Sequence, residues 1–172
     1  MKIKSTVLYH SVTGNTKQMA ETIAEAMQTV EGVESKCFSI EEVDEAWLKE
    51  SKCIILGTPI YYGSVSGEIK SFMDGPFRKY GVDGKIGGAF ATANFISGGG
   101  ELGIRLIFDH MLCAGMLVYS GRFGSLGPIK INSLSSVIEE SIYKEKTTDI
   151  FKHYGQRMAI RTIEIFNSKR PE

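Results

Sequence analysis

Apolar runs alternate with helical stripes from one end of this chain to the other. Residues 3–9 form an apolar run that predicts a buried first strand. Residues 17–30 follow with Met19, Ile23, Met27 and Val30 on one helical face, and Gly32 as a plausible stop. Residues 33–40 predict a weaker second strand, 44–50 a short helix and 53–56 a compact, fully apolar third strand. Val65, Ile69, Phe72 and Met73 predict a further helix, and residues 86–93 a fourth strand of small and apolar side chains. Ile104, Ile107, Phe108 and Met111 line the apolar side of a helix over 102–111, and residues 116–119 give the fifth strand. Residues 147–167 predict a closing helix, with Phe151, Tyr154, Met158 and Ile165 as core contacts.

This alternation predicts an α/β architecture: a parallel sheet with helices on both faces. No repeat or linker divides the chain, so residues 1–172 are expected to form one domain. Residues 121–143 fit no simple unit. They carry glycines, Pro128 and serines, yet also Ile129, Ile131, Leu134, Val137 and Ile138. Such an extended loop or insert packs on the domain, covers a ligand or meets another subunit.

Ligands of parallel sheets bind beyond the carboxyl ends of the strands. That rule selects three loops. The first is Ser11-Val12-Thr13-Gly14-Asn15-Thr16, between a strand and a helix start. Unpaired N–H groups and the helix dipole favour an anion there. Ser11, Thr13 and Thr16 add hydroxyls, Gly14 admits close approach, and Lys17 is the nearest cation in sequence. Neutral donors of this kind suit a terminal phosphomonoester. The Walker and dinucleotide glycine spacings are both absent. The same residues would also serve as an ordinary helix N-cap. The second loop, Gly57-Thr58-Pro59-Ile60-Tyr61-Tyr62-Gly63, offers two adjacent aromatics for stacking on a flat ligand, or for a surface or subunit contact. In the third, Thr92-Ala93-Asn94-Phe95-Ile96-Ser97-Gly98-Gly99-Gly100-Glu101, three glycines free the backbone to hydrogen-bond a heterocycle, or make a flexible turn before a helix capped by Glu101.

Composition narrows the classes. Lys plus Arg is 20 and Asp plus Glu is 20, so zero formal net charge gives no support for nucleic acid or an anionic membrane as partner. No apolar span reads as membrane-inserting, and MKIKSTVLYH lacks a cleavage pattern, so a cytoplasmic protein is expected. Cys37, Cys53 and Cys113 are expected to be buried, reduced thiols. His10, His110 and His153 are too scattered for a metal motif, and no metal site or catalytic residue is assigned.

SVTGNT resembles the phosphate-binding signature [ST]-x-T-G-x-T of the flavodoxin-like FMN proteins. GTPIYYGSVSGEIKSFMD, TANFISGGGE and IFKHYGQRMA, in that order, resemble the NAD(P)H:quinone oxidoreductases of the tryptophan-repressor-binding-protein type and related NADPH-dependent FMN reductases. The resemblance implies a flavodoxin-like three-layer sandwich with a five-stranded parallel sheet in the order 2-1-3-4-5. It implies that Ser11, Thr13, Gly14, Asn15 and Thr16 hold the FMN phosphate. Pro59, Tyr61, Tyr62 and Gly63 would then wall the isoalloxazine, with Tyr62 as the stacking ring, and Thr92, Ala93, Asn94, Phe95, Gly98 and Gly99 would meet the ribityl chain and flavin edge. It further implies NAD(P)H as electron donor, a quinone-like small-molecule acceptor and a homodimer or homotetramer. The alternative is a flavodoxin-type single-electron carrier that docks to redox partner proteins. Two departures stand out: Cys113 and Ala114 occupy positions where those reductases tend to carry a histidine pair, and Tyr61 one where they often carry an arginine.

Overall fold

The computed structural model describes residues 2–122, 126–132 and 140–167. Strand β1 (Ile3–Tyr9) lies inside a sheet, paired in parallel with β2 (Val33–Ser39) on one side and β3 (Cys53–Tyr61) on the other. β5 (Ile86–Ala93) runs parallel to β3, and β6 (Leu117–Val118) parallel to β5. These five strands stand in the order expected from the resemblance. Two short additions extend the sheet: β4 (Ser64–Val65) folds back antiparallel on β3, and β7 (Ile129–Ile131) pairs in parallel with the far end of β5.

Helices cover both faces. α1 (Asn15–Gln28) and α5 (Glu140–Phe166) close one core, around Val7, Ile23, Ile55, Phe90, Phe151, Tyr154 and Met158. α2 (Glu45–Glu50), α3 (Gly67–Asp74) and α4 (Gly100–Cys113) close the other, around Leu8, Ile54, Leu56, Ile69, Phe72, Ile104 and Met111. A period-2 strand supplies both cores at once: Val7 faces one, Leu8 the other. Buried Lys85 ties α2 to the short turn before β5, its ammonium donating to the Leu48, Lys49 and Tyr80 carbonyls at 2.9, 2.8 and 3.4 Å.

The edge of the sheet is split. β6 pairs with Ile86 and Gly87, and β7 with Ala91 to Ala93, which leaves Ala89 between them with no partner among the described strands on that edge, β3 lying on its other side. The Tyr154 hydroxyl fills the gap: it accepts from Ala89 N at 3.0 Å and donates to Ala89 O at 3.2 Å. A side chain thus replaces a strand residue on both backbone groups. Gly88 makes room, since a Cβ there would lie 2.6 Å from the Tyr154 oxygen. Burial holds this phenol far above its ordinary pKa, so it stays a donor.

Several expectations are corrected. β3 runs on to Tyr61, so residues 57–61 are strand rather than loop. Val65 belongs to β4, not to a helix. Residues 121–143 contain β7 and the first turn of α5, which begins at Glu140 rather than at 147. Leu126 is buried and Ile129 packs on the core, so this part of the segment packs on the sheet; Leu134, Val137 and Ile138 lie outside the described residues. Ile165 is exposed, because Thr162, Ile163 and Phe166 carry the packed face of α5 at its end. Cys53 is buried and Cys37 half-buried, but Cys113 is exposed on α4. Burial pushes the Cys37 and Cys53 thiols up to about 12, which keeps both protonated.

Candidate functional site

The three loops converge at the carboxyl end of the sheet, because β1, β3 and β5 are adjacent and parallel. The first leaves β1 and enters α1 through Gly14, whose φ of 87° places it in the left-handed region. No side chain caps the α1 N-terminus. The ordinary N-cap expected as an alternative is therefore not what these residues form. Ser11 Oγ instead accepts from Gly14 N at 3.1 Å, and Asn15 Nδ2 donates to Thr13 Oγ1 at 3.2 Å. A Cβ added at Gly14 would meet nothing within 4 Å, so the helix end is open. Thr16 is buried, and its hydroxyl shares a hydrogen bond of 2.9 Å with that of Thr92. That bond locks the first loop to β5.

Sequence reading missed a cation here. Lys130, on β7, donates through Nζ to Asn15 Oδ1 at 3.0 Å and to Gln18 Oε1 at 3.2 Å. It stands at the first turn of α1, although it lies far away in sequence. The parallel register of β7, with Lys130 opposite Thr92, brings it there. Asn132, at the end of β7, donates its N–H to Ala93 O at 2.8 Å, and its side-chain Oδ1 is buried without a partner among the described residues. An orphaned acceptor beside the third loop fits a ligand that donates hydrogen bonds.

The second loop is a tight hairpin. Tyr61 pairs with Ser64, and the two residues between them, Tyr62 and Gly63, have φ of 50° and 78°. Both central residues of a two-residue turn of this hand need positive φ. Glycine adopts that freely, whereas a tyrosine there is uncommon and strained. The reward is position: Tyr62 is 108% exposed at the hairpin tip. The hairpin is held from below by Thr58, whose hydroxyl accepts from Ser66 N at 3.1 Å. Ser66 caps α3 in turn, accepting from Ile69 N at 3.3 Å.

The third loop touches the second. A Cβ on Gly99 would lie 2.6 Å from both Cα and O of Gly63. Two glycines therefore let one backbone rest on the other. Phe95, at 68% exposure, and Ile96, at 78%, extend from the third loop into solvent. Glu101 does not cap α4; Gly99 occupies the cap position with no side-chain bond. Pro59, Thr92 and Ala93 are buried within β3 and β5, whereas Asn94, Phe95, Tyr61 and Tyr62 are exposed and Gly98 is half-buried. The predicted residues thus divide into a buried floor and an exposed apolar rim.

On the far side of the first loop, His10 stands between two carboxylates. Its Nδ1 lies 2.9 Å from Glu41 and its Nε2 3.5 Å from Glu68. Partial burial pushes the Glu41 carboxyl up, but hydrogen bonds from His10, its own backbone and Ser39 outweigh that and hold it below its usual range. No group of acidic, histidine and cysteine side chains among the described residues has metal-holding geometry. No described helix is long and apolar enough to cross a membrane.

An open helix N-terminus, a hydroxyl-rich turn and an apolar rim at the strand ends define a cofactor-binding α/β protein of the doubly wound class. The flavodoxin-domain profile matches residues 6–76, and that of the NADPH-dependent FMN reductases matches residues 45–125. A flavodoxin from Clostridium saccharobutylicum is 35% identical over 170 residues, covering 95% of this chain and 100% of the relative. A flavodoxin from the domain Archaea superposes with a TM-score of 0.75 at 27% identity, covering 93% of this chain and 99% of the other. A WrbA-like flavodoxin from Agrobacterium tumefaciens has the same fold, with a TM-score of 0.75 at 23% identity over 95% of this chain and 99% of that one. The chain belongs to the flavodoxin family, as an FMN-binding, flavodoxin-like protein.

Proposed function

We propose that this chain is an FMN-dependent oxidoreductase that takes electrons from NAD(P)H and delivers them to a quinone or similar small acceptor. The observation that carries the reading is the pairing of an uncapped α1 N-terminus with an exposed apolar rim at the same end of the sheet. In this reading Ser11, Thr13, Gly14, Asn15 and Thr16 hold the phosphate through N–H and hydroxyl donors. Tyr62 stacks on the ring system, and Pro59, Tyr61 and Gly63 complete that wall. Thr92, Ala93, Asn94, Phe95, Gly98 and Gly99 meet the ribityl chain and the polar edge. Bound there, FMN would supply both one- and two-electron redox chemistry. The protein's part is to bind, orient and shield, so no side chain is assigned as acid or base.

The rim favours a small apolar acceptor over a basic protein. Residues 57–66 and 92–100 contain no Asp or Glu, and the net charge is zero. A docking face for a basic partner needs negative potential. The carrier reading is favoured by a different observation, the full-length similarity to proteins named flavodoxin. The two are separated by anaerobic titration of the FMN-loaded chain with NADH, then NADPH, following visible absorbance. Bleaching by a nicotinamide, with recovery on adding a quinone, supports the reductase. A flavin reduced by dithionite but by neither nicotinamide supports the carrier.

Lys130 sharpens the phosphate assignment. Lys130→Met removes a half-buried positive charge beside Asn15, and is expected to weaken FMN binding about threefold to tenfold, the scale of a solvent-screened charge contact. Riboflavin, which lacks the phosphate, should bind the variant and the parent equally, and the FMN deficit should shrink at high salt. Equal losses for both ligands would show that Lys130 acts on the fold and not on the phosphate.

A further inference from the structure

Side chains alternate along a strand, so residues 129 and 131 of β7 share one face, and residues 130 and 132 the other. Ile129 packs on the core beneath α4, where a Cβ added to Gly100 would lie 2.9 Å from its Cγ2. Lys130 goes the opposite way and reaches Asn15 and Gln18 in the first turn of α1. Asn132 lies just past the end of β7, but its N–H still follows the ladder, donating to Ala93 O at 2.8 Å. The alternation therefore turns Asn132 toward the α1 side as well, one pleat beyond Lys130.

On that side a line of polar groups climbs from the first loop to the third. Thr16 shares its hydrogen bond with Thr92, Lys130 stands opposite Thr92 and bonds Asn15, and Asn132 follows beside Ala93, where the third loop begins. The last member of the line is the one left unsatisfied. Asn132 is half-buried, yet its Oδ1 is out of reach of solvent and has no donor among the described residues. A buried amide oxygen left unmade destabilises the fold that contains it, so its retention calls for a group that completes it.

We propose that Asn132 Oδ1 accepts a hydrogen bond from the ribityl chain of the flavin, which makes Asn132 a specificity residue for flavins that carry that chain. The inference rests on the flavin reading above. With the phosphate at the α1 N-terminus and the ring system against Tyr62 and the third loop, the ribityl chain is the part that joins them. It is a polyol, and each hydroxyl can donate to an amide oxygen. The ring's own N–H lies on its pyrimidine edge, away from the chain. Asn132 thus carries an unmade bond in the apo fold that the ligand makes, a cost in stability kept for binding.

Fluorescence titration of the apo chain with FMN, riboflavin and lumiflavin tests this, since lumiflavin has a methyl group in place of the ribityl chain. Asn132→Leu keeps the approximate size of the side chain and removes the acceptor. It should weaken FMN and riboflavin alike, about threefold to tenfold, the scale of one hydrogen bond, and leave lumiflavin unchanged. Lys130→Met, by contrast, spares riboflavin. The denaturant midpoint of apo Asn132→Leu should equal or exceed that of the parent, because the unmade oxygen is gone. A residue that only shaped the fold would lower the midpoint and weaken all three ligands together. Asn132→Ala should give the same order of ligands, so the outcome does not hang on how leucine packs. Riboflavin affinity equal to the parent's in both variants overturns the proposal, and so does an equal loss for lumiflavin. A parent that binds none of the three overturns the flavin reading and this inference with it, whereas a parent that binds all three regardless of residue 132 overturns the inference alone.

Discussion

Replacing Tyr154 by phenylalanine will destabilise the fold by about 2–4 kcal/mol, because it strips both backbone partners from Ala89 in the middle of β5, at the split edge of the sheet. The phenylalanine ring keeps the packing against Phe151 and Met158 in the same core. The loss therefore reports the hydroxyl alone. Each of the two Ala89 groups is buried between β6 and β7, where no described strand pairs with it. Leaving a buried donor or acceptor unmade costs about 1–3 kcal/mol, and this substitution leaves one of each. Denaturant unfolding of the apo chain measures it, as a lower midpoint at unchanged slope. A loss under about 0.5 kcal/mol, which is the ordinary surface scale, would mean that Ala89 is served by something other than Tyr154.

Gly99→Ala is the second large effect, and it separates two costs that glycine substitutions usually mix. At Gly14 and Gly99 alike φ is near +90°, a conformation that costs about 1–2 kcal/mol for a residue with a Cβ. At Gly14 an added Cβ meets nothing; at Gly99 it strikes the Gly63 backbone at 2.6 Å. A backbone cannot swing aside as a flexible side chain does, so the second and third loops must separate. Apo-state unfolding should show Gly99→Ala to be the more destabilising of the two by about 1 kcal/mol or more, the scale of overpacking strain. FMN affinity of Gly99→Ala should fall about tenfold or more, because productive geometry is lost when two walls of a site move apart by an ångström. Equal apo stabilities for the two variants would mean that the loop contact is not a constraint. A normal FMN affinity for Gly99→Ala would mean that the third loop does not shape the flavin site.

Both residues bear on how the carboxyl end of the sheet is assembled. Tyr154 closes a gap in the edge of β5 three residues before Thr92, and Gly99 sets the distance between the hairpin tip and the third loop. Thr16 to Thr92, Ser66 to Thr58 and Lys130 to Asn15 then link the first, second and third loops to strands on either side. None of these links joins sequence neighbours. They make the site a property of the sheet rather than of any one loop.

The sequence by itself determined the strand and helix order. Period-2 and period-3.6 apolar spacing is a local property, and a run such as residues 86–93 or a stripe such as Met19, Ile23 and Met27 has one way to bury itself. It also placed Gly14 and Gly99 in turns before helices, since turn chemistry is likewise written within a few residues. The SVTGNT turn and the resemblance it carries pointed to the sheet end where the loops meet. Tertiary structure alone decided the rest. Lys130 reaches the α1 N-terminus only because β7 pairs with the far half of β5, a register set by the split edge and not by spacing. Tyr154 read as an ordinary core aromatic, and its hydroxyl found a partner only where two short strands left a backbone unpaired. Ile165 obeyed the apolar stripe yet is exposed, because the last turn of α5 packs through its neighbours Thr162, Ile163 and Phe166 instead. Long-range pairing fixes which side chains share a site, and no local pattern carries that information.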